Sequence, residues 1–485
     1  MGTISNAFST ISGALQADQA ALSIVANNVA NANTVGYTKE NANFQENDPV
    51  TIGGVAYGQG AQVTGATSVR DRVLTERLDQ QQQLASASST RLAGLSTVQA
   101  LFTPDSGAAN STAGDIGSDL TSFFSSFSSL EANPTSNSLR QNVLSTATTL
   151  AGDISNAAAS LNAQRSSLDQ EASGVTNQVN ALTTSIAQLN QQIQSTSPNT
   201  DAGVLEDQRE QDVSQLSNLV GINQVTTENN GLSITTTSGA VLVSEGSSYQ
   251  MTSGPVDGMT HFFVNNSDIT SGLASGGGEL GGYLTVRDQD IPNVMSSLDQ
   301  LAYSVSTKVN ALNNAGSDMA GVGGTLAAPL NIFNPPVVNP VTGIGVVAGS
   351  AANMSVVMTN PDQIAAAAAG AGTGDNSNAV AMASLANQTI IPSGGASQTP
   401  SDYYSSFVSS LGATITEVQT ENTAQSASVT QLQTQNDALS GVNLDDEASE
   451  MTTMERSYQA ATQVFTMLNT LMASTINLGQ ATTVT

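Results

Sequence analysis

Residues 4–29 read ISNAFSTISGALQADQAALSIVANNV. Ile4, Phe8, Ile11, Leu15, Asp18, Leu22, Val25 and Val29 follow one another at spacings of 4, 3, 4, 3, 4, 3 and 4, a heptad seam with seven apolar positions of eight. Asp18 is the only charged side chain between Met1 and Thr38. Ala, Gln, Ser, Thr and Asn fill the other faces, with few of the i,i+4 ion pairs that support a solitary helix. The far end of the chain repeats the arrangement. There Met451, Met454, Tyr458, Ala461, Phe465, Leu468 and Met472 form a second seam, and no charged side chain follows Arg456. Two uncharged amphipathic helices are poorly suited to stand alone in water and well suited to pair with each other and with neighbouring subunits. They are expected to become ordered on assembly rather than in a free monomer.

Between these ends lies nearly all of the net charge of −28, from 39 Asp and Glu against 11 Lys and Arg. Nucleic acid and anionic membranes repel so acidic a surface, so neither is expected as a partner. A chain of 485 residues has room for three or four domains and a sizeable core. The absence of Cys fits a protein that leaves the cell without needing disulfides. No apolar run reaches the roughly 18 residues of a membrane span. The first basic residue is Lys39, which does not suit a cleavable secretory signal, and Asn6 stands where myristoylation wants Ser or Thr. Export, if it occurs, is expected to read an uncleaved N-terminus.

Along the chain the periodicity alternates. The first helix should stop around Asn31 to Gly36, where Asn-rich sequence and a Gly suit a left-handed cap. Residues 38–69, with Gly53-Gly54, Gly58 and Gly60, read as loop or irregular β structure. Helix is expected over 70–101, then a Ser- and Gly-rich break at 104–117. Between Pro134 and Pro198 the heptad is unusually regular. Ile154, Leu161, Leu168, Val175, Leu182 and Leu189 recur every seven residues, with Ala158, Ala172, Val179, Ile186 and Ile193 between them and Arg165 as the one intruder. This predicts a coiled-coil-like hairpin arm or rod. From 221 to 268 the period falls to two, and Asn229-Asn230-Gly231 and Ser238-Gly239 mark the turns of a β-hairpin. Residues 283–314 read as helix, 329–361 as a second β region, Ala365–Ala369 as a helix end and 403–439 as helix again.

Catalytic chemistry has little to build on. His261 is the only histidine, which excludes a His-pair metal site and any Cys–His pair, and its neighbours mark it as a strand residue. Asp445-Asp446-Glu447 lies near the start of the last helix, where carboxylates favour the positive end of the helix dipole, so capping is the expected role. Asp288 and Asp290 invite the same reading. The glycine runs at 276–278 and 281–282 lack the Lys-Ser/Thr of a phosphate loop. No catalytic, cofactor-binding or metal-binding residue is assigned, no cofactor is expected, and the chain reads as non-enzymatic.

Ala26-Asn27-Asn28-Val29-Ala30-Asn31-Ala32-Asn33-Thr34-Val35-Gly36-Tyr37-Thr38 closely resembles the N-terminal signature shared by flagellar rod, hook and hook-associated proteins. Ser440-Gly441-Val442-Asn443-Leu444-Asp445-Asp446-Glu447 is similar to a C-terminal signature of the hook-associated branch. So are Leu205–Glu210 with Leu216-Ser217, and Gly278–Leu284 with Arg287–Pro292 and Leu298–Ala302. The resemblance implies a structural protein at the hook–filament junction of the extracellular bacterial flagellum. It further implies export unfolded through the flagellar type III apparatus and self-assembly into a short ring. Hook protein would lie below it and a second junction protein above, with an export chaperone shielding the C-terminal helix over Met451–Met472. The alternative is a sibling axial protein, either hook protein or the second junction protein. A peptidoglycan hydrolase carried on the same rod and a coiled-coil adhesin are the rivals from other classes.

The expected architecture is therefore α+β and multidomain. Terminal helices pair in a coiled coil lining an inner tube (1–38 and 441–485), and a helical-bundle stem surrounds them (39–220, 280–315 and 401–440). A β-rich domain (221–279) and a β-rich or loop region (316–400) are inserted on the outside. The expected assembly interface comprises Ile4, Phe8, Ile11, Leu15, Leu22, Val25, Asn28, Val29, Asn31, Asn33, Gly36 and Tyr37 at one end. At the other it comprises Leu444, Met451, Met454, Tyr458, Phe465, Leu468 and Met472.

Overall fold

In the computed structural model, which describes residues 2–52, 54–102, 115–197, 201–339 and 345–481, the N-terminal seam is one helix, α1 (Gly2–Asn31). The turn behind it contains a left-handed Gly36 with φ of 80°. An arm follows, built from β1 (Glu40–Glu46), β2 (Val50–Ile52), β3 (Val55–Tyr57) and β4 (Ala61–Ser68). β1 pairs antiparallel with β4, and the β2–β3 hairpin prolongs the ribbon. The segment grouped on sequence with the helical stem is thus a β arm, and it packs along α1.

α2 (Arg72–Ala100) starts at Asp71, whose carboxylate accepts the N–H groups of Val73 and Leu74 at 3.1 Å. α3 (Ile116–Ala132), α4 (Asn137–Thr196) and α5 (Val204–Leu219) follow. The break expected at 104–117 falls almost entirely outside the described residues. The regular heptad belongs to a single 60-residue helix, the rod rather than the hairpin arm of the two expected forms; at 1.5 Å per residue α4 is about 90 Å long.

α4 threads two separate cores. Its first half, with Val143, Leu150, Ile154, Leu161 and Leu168 buried, belongs to a helical core that also takes Phe123 and Phe127 from α3. Its second half, with Val175, Val179 and Ile186, belongs to a mixed core under two antiparallel sheets. One sheet has β5 (Ile222–Thr226), β6 (Leu232–Thr236), β7 (Val241–Ser244) and β8 (Ser247–Ser248) in sequence order. The other has β9 (Met251–Val256), β10 (Met259–Val264) and β11 (Ser267–Asp268), with β10 central. Asn229 and Asn230 hold left-handed backbone at φ of 56° and 59°, as the turn between β5 and β6 requires.

α6 (Thr270–Ala274) and α7 (Gly278–Thr285) lead through a π turn at Val286–Asp290 into α8 (Ile291–Ala315). Between α8 and residue 400 the expected second β region is only partly realised. It holds α9 (Ser377–Ser384), one hairpin of β12 (Ile391–Ser393) and β13 (Ala396–Gln398), and isolated bridges such as Phe333–Val356. Side chains of α8 take over much of the role of a sheet ladder. Asn310 accepts the N–H groups of Ile332 and Phe333 at 3.0 Å, and Asp299 accepts those of Gly349 and Ala351 at 2.8 Å. Ala365–Ala367, read as a helix end, is a buried non-helical strip whose Ala365 N–H reaches Asn313 at 2.8 Å. α10 (Pro400–Ser440) then lies along α2, and α11 (Leu444–Ala481) returns along α1.

Leu161 is fully buried where α4 crosses the helical core, and Ala159 two residues earlier is exposed. Leu161→Ala should cost about 3 kcal/mol in denaturant unfolding, the usual loss for a core truncation, while Ala159→Ser should change stability by no more than about 0.5 kcal/mol.

Candidate assembly joint

The ring of Phe8 lies 4.6 Å from that of Phe465, and Asn28 reaches Glu447. α1 and α11 are therefore antiparallel. Of the seam residues on α1, Val25 is buried and Ile4, Phe8, Ile11, Leu15 and Leu22 are half-buried, while Val29 is exposed. On α11, Met451, Met454, Phe465, Leu468 and Met472 are half-buried, and Tyr458 and Leu444 are exposed. Phe8 and Phe465, both seam positions, meet across the pair, and Ala17 and Ala21, outside the seam, are buried with them. Asp18 is 8% exposed in this pair, and its Oδ2 finds no hydrogen-bond partner among the described residues.

α11 keeps a second apolar stripe in the open. Val464, Met467 and Leu471 recur at the same 3–4 spacing and are 37%, 58% and 56% exposed. No charge interrupts this face after Arg456.

Where α1 ends, polar groups replace the apolar seam. Asn28 is 1% exposed and uses both ends of its amide. Its Nδ2 donates to the carbonyl of Glu40 at 2.9 Å and to Glu447 Oε2 at 3.0 Å; its Oδ1 accepts the Glu40 N–H at 3.0 Å and the Tyr37 hydroxyl at 2.8 Å. Glu447 is fully buried and lies 2.6 Å from Lys39 Nζ. That bond holds the Lys39 ammonium above its ordinary pKa. Burial, with the nearby carboxylates of Glu40, Asp207 and Glu447, pushes the Tyr37 hydroxyl up to about 12. The Lys39 N–H also donates to the carbonyl of Ser440 at 2.9 Å, closing α10 onto the strand that leaves α1.

This overturns the capping role read for Glu447. Asp445 and Asp446 stay exposed in the first turn of α11, but Glu447 is turned inward to meet Lys39 and Asn28. Of the other expected interface residues, Asn31 and Tyr37 are half-buried, and Asn33 and Gly36 are exposed on the turn.

A second polar layer ties this knot to α5. The Thr38 N–H donates to Asp207 at 3.1 Å, and Asp201 accepts the N–H and hydroxyl of Ser68 at 2.5 and 3.1 Å. Arg70, 7% exposed, bridges Glu206 and Asp207 and lies 3.3 Å from Glu210. Three segments that resembled one family at separate places in the chain, 26–38, 205–210 and 440–447, converge here. The contributions of Lys39, Ser68, Arg70 and Asp201 were missed, because each lies outside the apolar pattern that marked the interface.

The fourth segment does a different job. Arg287, 1% exposed in the π turn, reaches Asp169 of α4 at 2.5 Å, the Thr260 carbonyl of β10 at 2.8 Å and its neighbour Asp288. Asp290 takes Arg91 of α2 through two bonds at 2.8 and 2.9 Å. Asp288 and Asp290 are therefore not the helix caps expected from their position; both are engaged by arginines that hold elements together. Arg165, the intruder in the α4 heptad, donates to the Arg287 carbonyl at 3.0 Å. His261 sits on β10 as expected of a strand residue, 2.6 Å from Asp268. Among the described residues, no group of three or more acidic or His side chains is placed to hold a metal ion. No described helix is long and apolar enough to cross a membrane.

Residues 105–326 match the model of the flagellar hook-associated protein FlgK helical domain. Residues 8–38 match that of the flagella basal body rod protein, and 434–478 that of the flagellar basal body rod FlgEFG protein C-terminal. Flagellar hook-associated protein 1 of Bacillus subtilis is 28% identical, covering 96% of each chain. The protein of the same name from Salmonella typhimurium is 25% identical over 96% of this chain and 98% of its own. The structure of the flagellar hook junction protein FlgK from Burkholderia pseudomallei superposes with a TM-score of 0.63 at 19% identity, over 75% of this chain and 100% of that one. The paired ends joined to a helical body are those of a flagellar axial protein. Within that class, the chain is similar to FlgK, through its helical domain and through the relatives named flagellar hook-associated protein 1.

Asn28→Ala would leave Glu447 Oε2, the Tyr37 hydroxyl and the Glu40 N–H without the Asn28 amide, with Lys39 still paired to Glu447 Oε1. The expected loss is about 3 kcal/mol of local stability. Hydrogen exchange of the amides near 39–40 and 447 should speed up, with exchange in α4 unchanged.

Proposed function

We propose that this chain is the structural junction protein that joins the flagellar hook to the filament. The observation that carries this reading is the antiparallel pairing of α1 and α11 at the two chain ends, locked through Asn28 and Glu447, with a further apolar stripe left bare on α11. A helix pair complete in itself would not present Val464, Met467 and Leu471 to water; such a face suits neighbouring copies packed around a tube. The relatives named flagellar hook-associated protein 1 match along nearly their whole length, which supports the same assignment. In this reading the role is structural rather than catalytic. The terminal pair lines the inner tube as a coiled coil, the α4 stem surrounds it and the two sheets face outward. The subunits leave the cell through the flagellar type III apparatus, the seam of α11 shielded by a chaperone until assembly, and form a ring between hook protein and the second junction protein.

Electron microscopy of a deletion strain tests the assignment directly: hooks without filaments, and flagellin in the medium, are expected. Normal filaments would overturn it. Leu468→Asp, on the buried side of α11, should abolish motility and chaperone binding together. A chain lacking 4–29 should keep its central domains folded, as judged by circular dichroism, and fail to assemble.

A further inference from the structure

Asp18 is the one charged side chain on α1, and the helix pair around it does not satisfy it. It is 8% exposed, and its carboxylate makes no hydrogen bond or ion pair among the described residues. A carboxylate taken out of water without a cation is strongly unfavourable, so a group from outside the single chain is needed to complete this position.

Few basic groups are available to do so. Between Met1 and Val69 there is only Lys39, which already lies 2.6 Å from Glu447; between Gly441 and Thr485 there is only Arg456. Arg456 is exposed, and it too makes no ion pair or hydrogen bond among the described residues.

These two unpaired charges stand at the same height on opposite sides of the pair. Phe8 is level with Phe465 and Asn28 with Glu447, so Asp18, midway between Phe8 and Asn28, is level with Arg456, midway between Glu447 and Phe465. At about 100° per residue, Arg456 lies about 160° round α11 from Met454 of the seam and only about 20° from Met467. It therefore points away from the α1 of its own copy and heads the bare stripe that runs through Ala460, Val464, Met467 and Leu471. The opposing surface is present as well. Ile11, Leu15 and Leu22, on either side of Asp18, are still only half-buried with α11 in place, which leaves apolar area for a third helix.

We propose that Arg456 of one copy is the counter-ion of Asp18 in the next: the bare stripe of α11 lies across the half-covered seam of the adjacent α1, and the charge pair fixes the height at which the two copies meet.

This rests on the reading that copies pack around a tube. Stripe and seam are different patches of one molecule, so the contact is heterologous, the kind that closes into a ring when the rotation allows. Apolar faces alone tolerate sliding. A single polar position in an apolar seam specifies register, because a shift of one turn buries each charge without the other.

Full-length variants returned to the deletion strain test the pair, with the fraction of hooks that carry filaments counted by electron microscopy. Arg456→Gln leaves Asp18 buried without a counter-ion and should lower that fraction at least tenfold. Asp18→Asn removes the need for one, so Asp18→Asn alone and the Asp18→Asn, Arg456→Gln double variant should give equal fractions, both well above that of Arg456→Gln. The purified Arg456→Gln monomer should keep the circular dichroism of the wild type, because the side chain is exposed. Wild-type filament counts in Arg456→Gln, a double variant as poor as Arg456→Gln, or loss of folding in the Arg456→Gln monomer would each overturn the pairing. Asp18→Ser supplies the neutral background, under the same expectation, should Asp18→Asn not fold. Filaments absent from the deletion strain but normal in Arg456→Gln sink the pairing and leave the junction assignment standing, whereas filaments present in the deletion strain overturn both.

Discussion

The Asn28 amide links α1 to the strand that leaves it and to α11, whose Glu447 lies 419 residues away in sequence. Bringing segments so distant together costs loop-closure entropy, although that cost grows only slowly with separation. The two α-helical seams contribute non-directional apolar burial, which could be satisfied in several registers. A buried, fully used amide tolerates one. Slipping α11 by a turn would leave the Glu447 carboxylate and the Lys39 ammonium without each other in a dry site, a penalty of several kcal/mol. Register in the terminal pair is therefore set at its inner end, where the polar groups are.

The same division of labour runs through the body. α4 carries the apolar load, passing through both cores, while buried arginines fix how other elements meet it. Arg287 bonds to α4 and β10 from the π turn, and Arg140 donates to the carbonyls of Pro134 and Ile364 from the start of α4 itself. The terminal unit differs in having no share in either core. Its attachment to the stem is polar, centred on Arg70, and a polar joint responds to pH and salt in a way that an apolar one does not.

Much of this was legible from residue order. The heptads at 4–29 and 451–472 fall on the two helices that pack together, and the period change after residue 220 located the two sheets beside α4. The fourfold family resemblance named three segments that meet at Asn28 and Arg70 and the turn that carries Arg287, but not the partners they meet, Lys39, Ser68, Arg70 and Asp201 at the first centre and Arg91, Asp169 and Thr260 at the second. Other readings failed for identifiable reasons. Glu447, Asp288 and Asp290 looked like helix caps, because acids near a helix start usually are; only their places beside Lys39, Arg287 and Arg91 show otherwise. Residues 329–361 looked like strands because short Val and Ile runs between prolines suit strands. They make few ladders because Asn310 and Asp299 of α8 take up several of their backbone groups first.

Periodicity and charge are local properties, so the sequence by itself determined the helices, their apolar faces, the sheet region and the uncharged ends. Partner choice is not local. Tertiary structure decided that Asp18 is buried, that Arg165 serves a carbonyl rather than spoiling a seam, and that Asp79 of α2 is buried under Gln224 of β5. Each depends on which distant chain segment removes water from a polar group, and the segment's own neighbours in sequence carry no information about that.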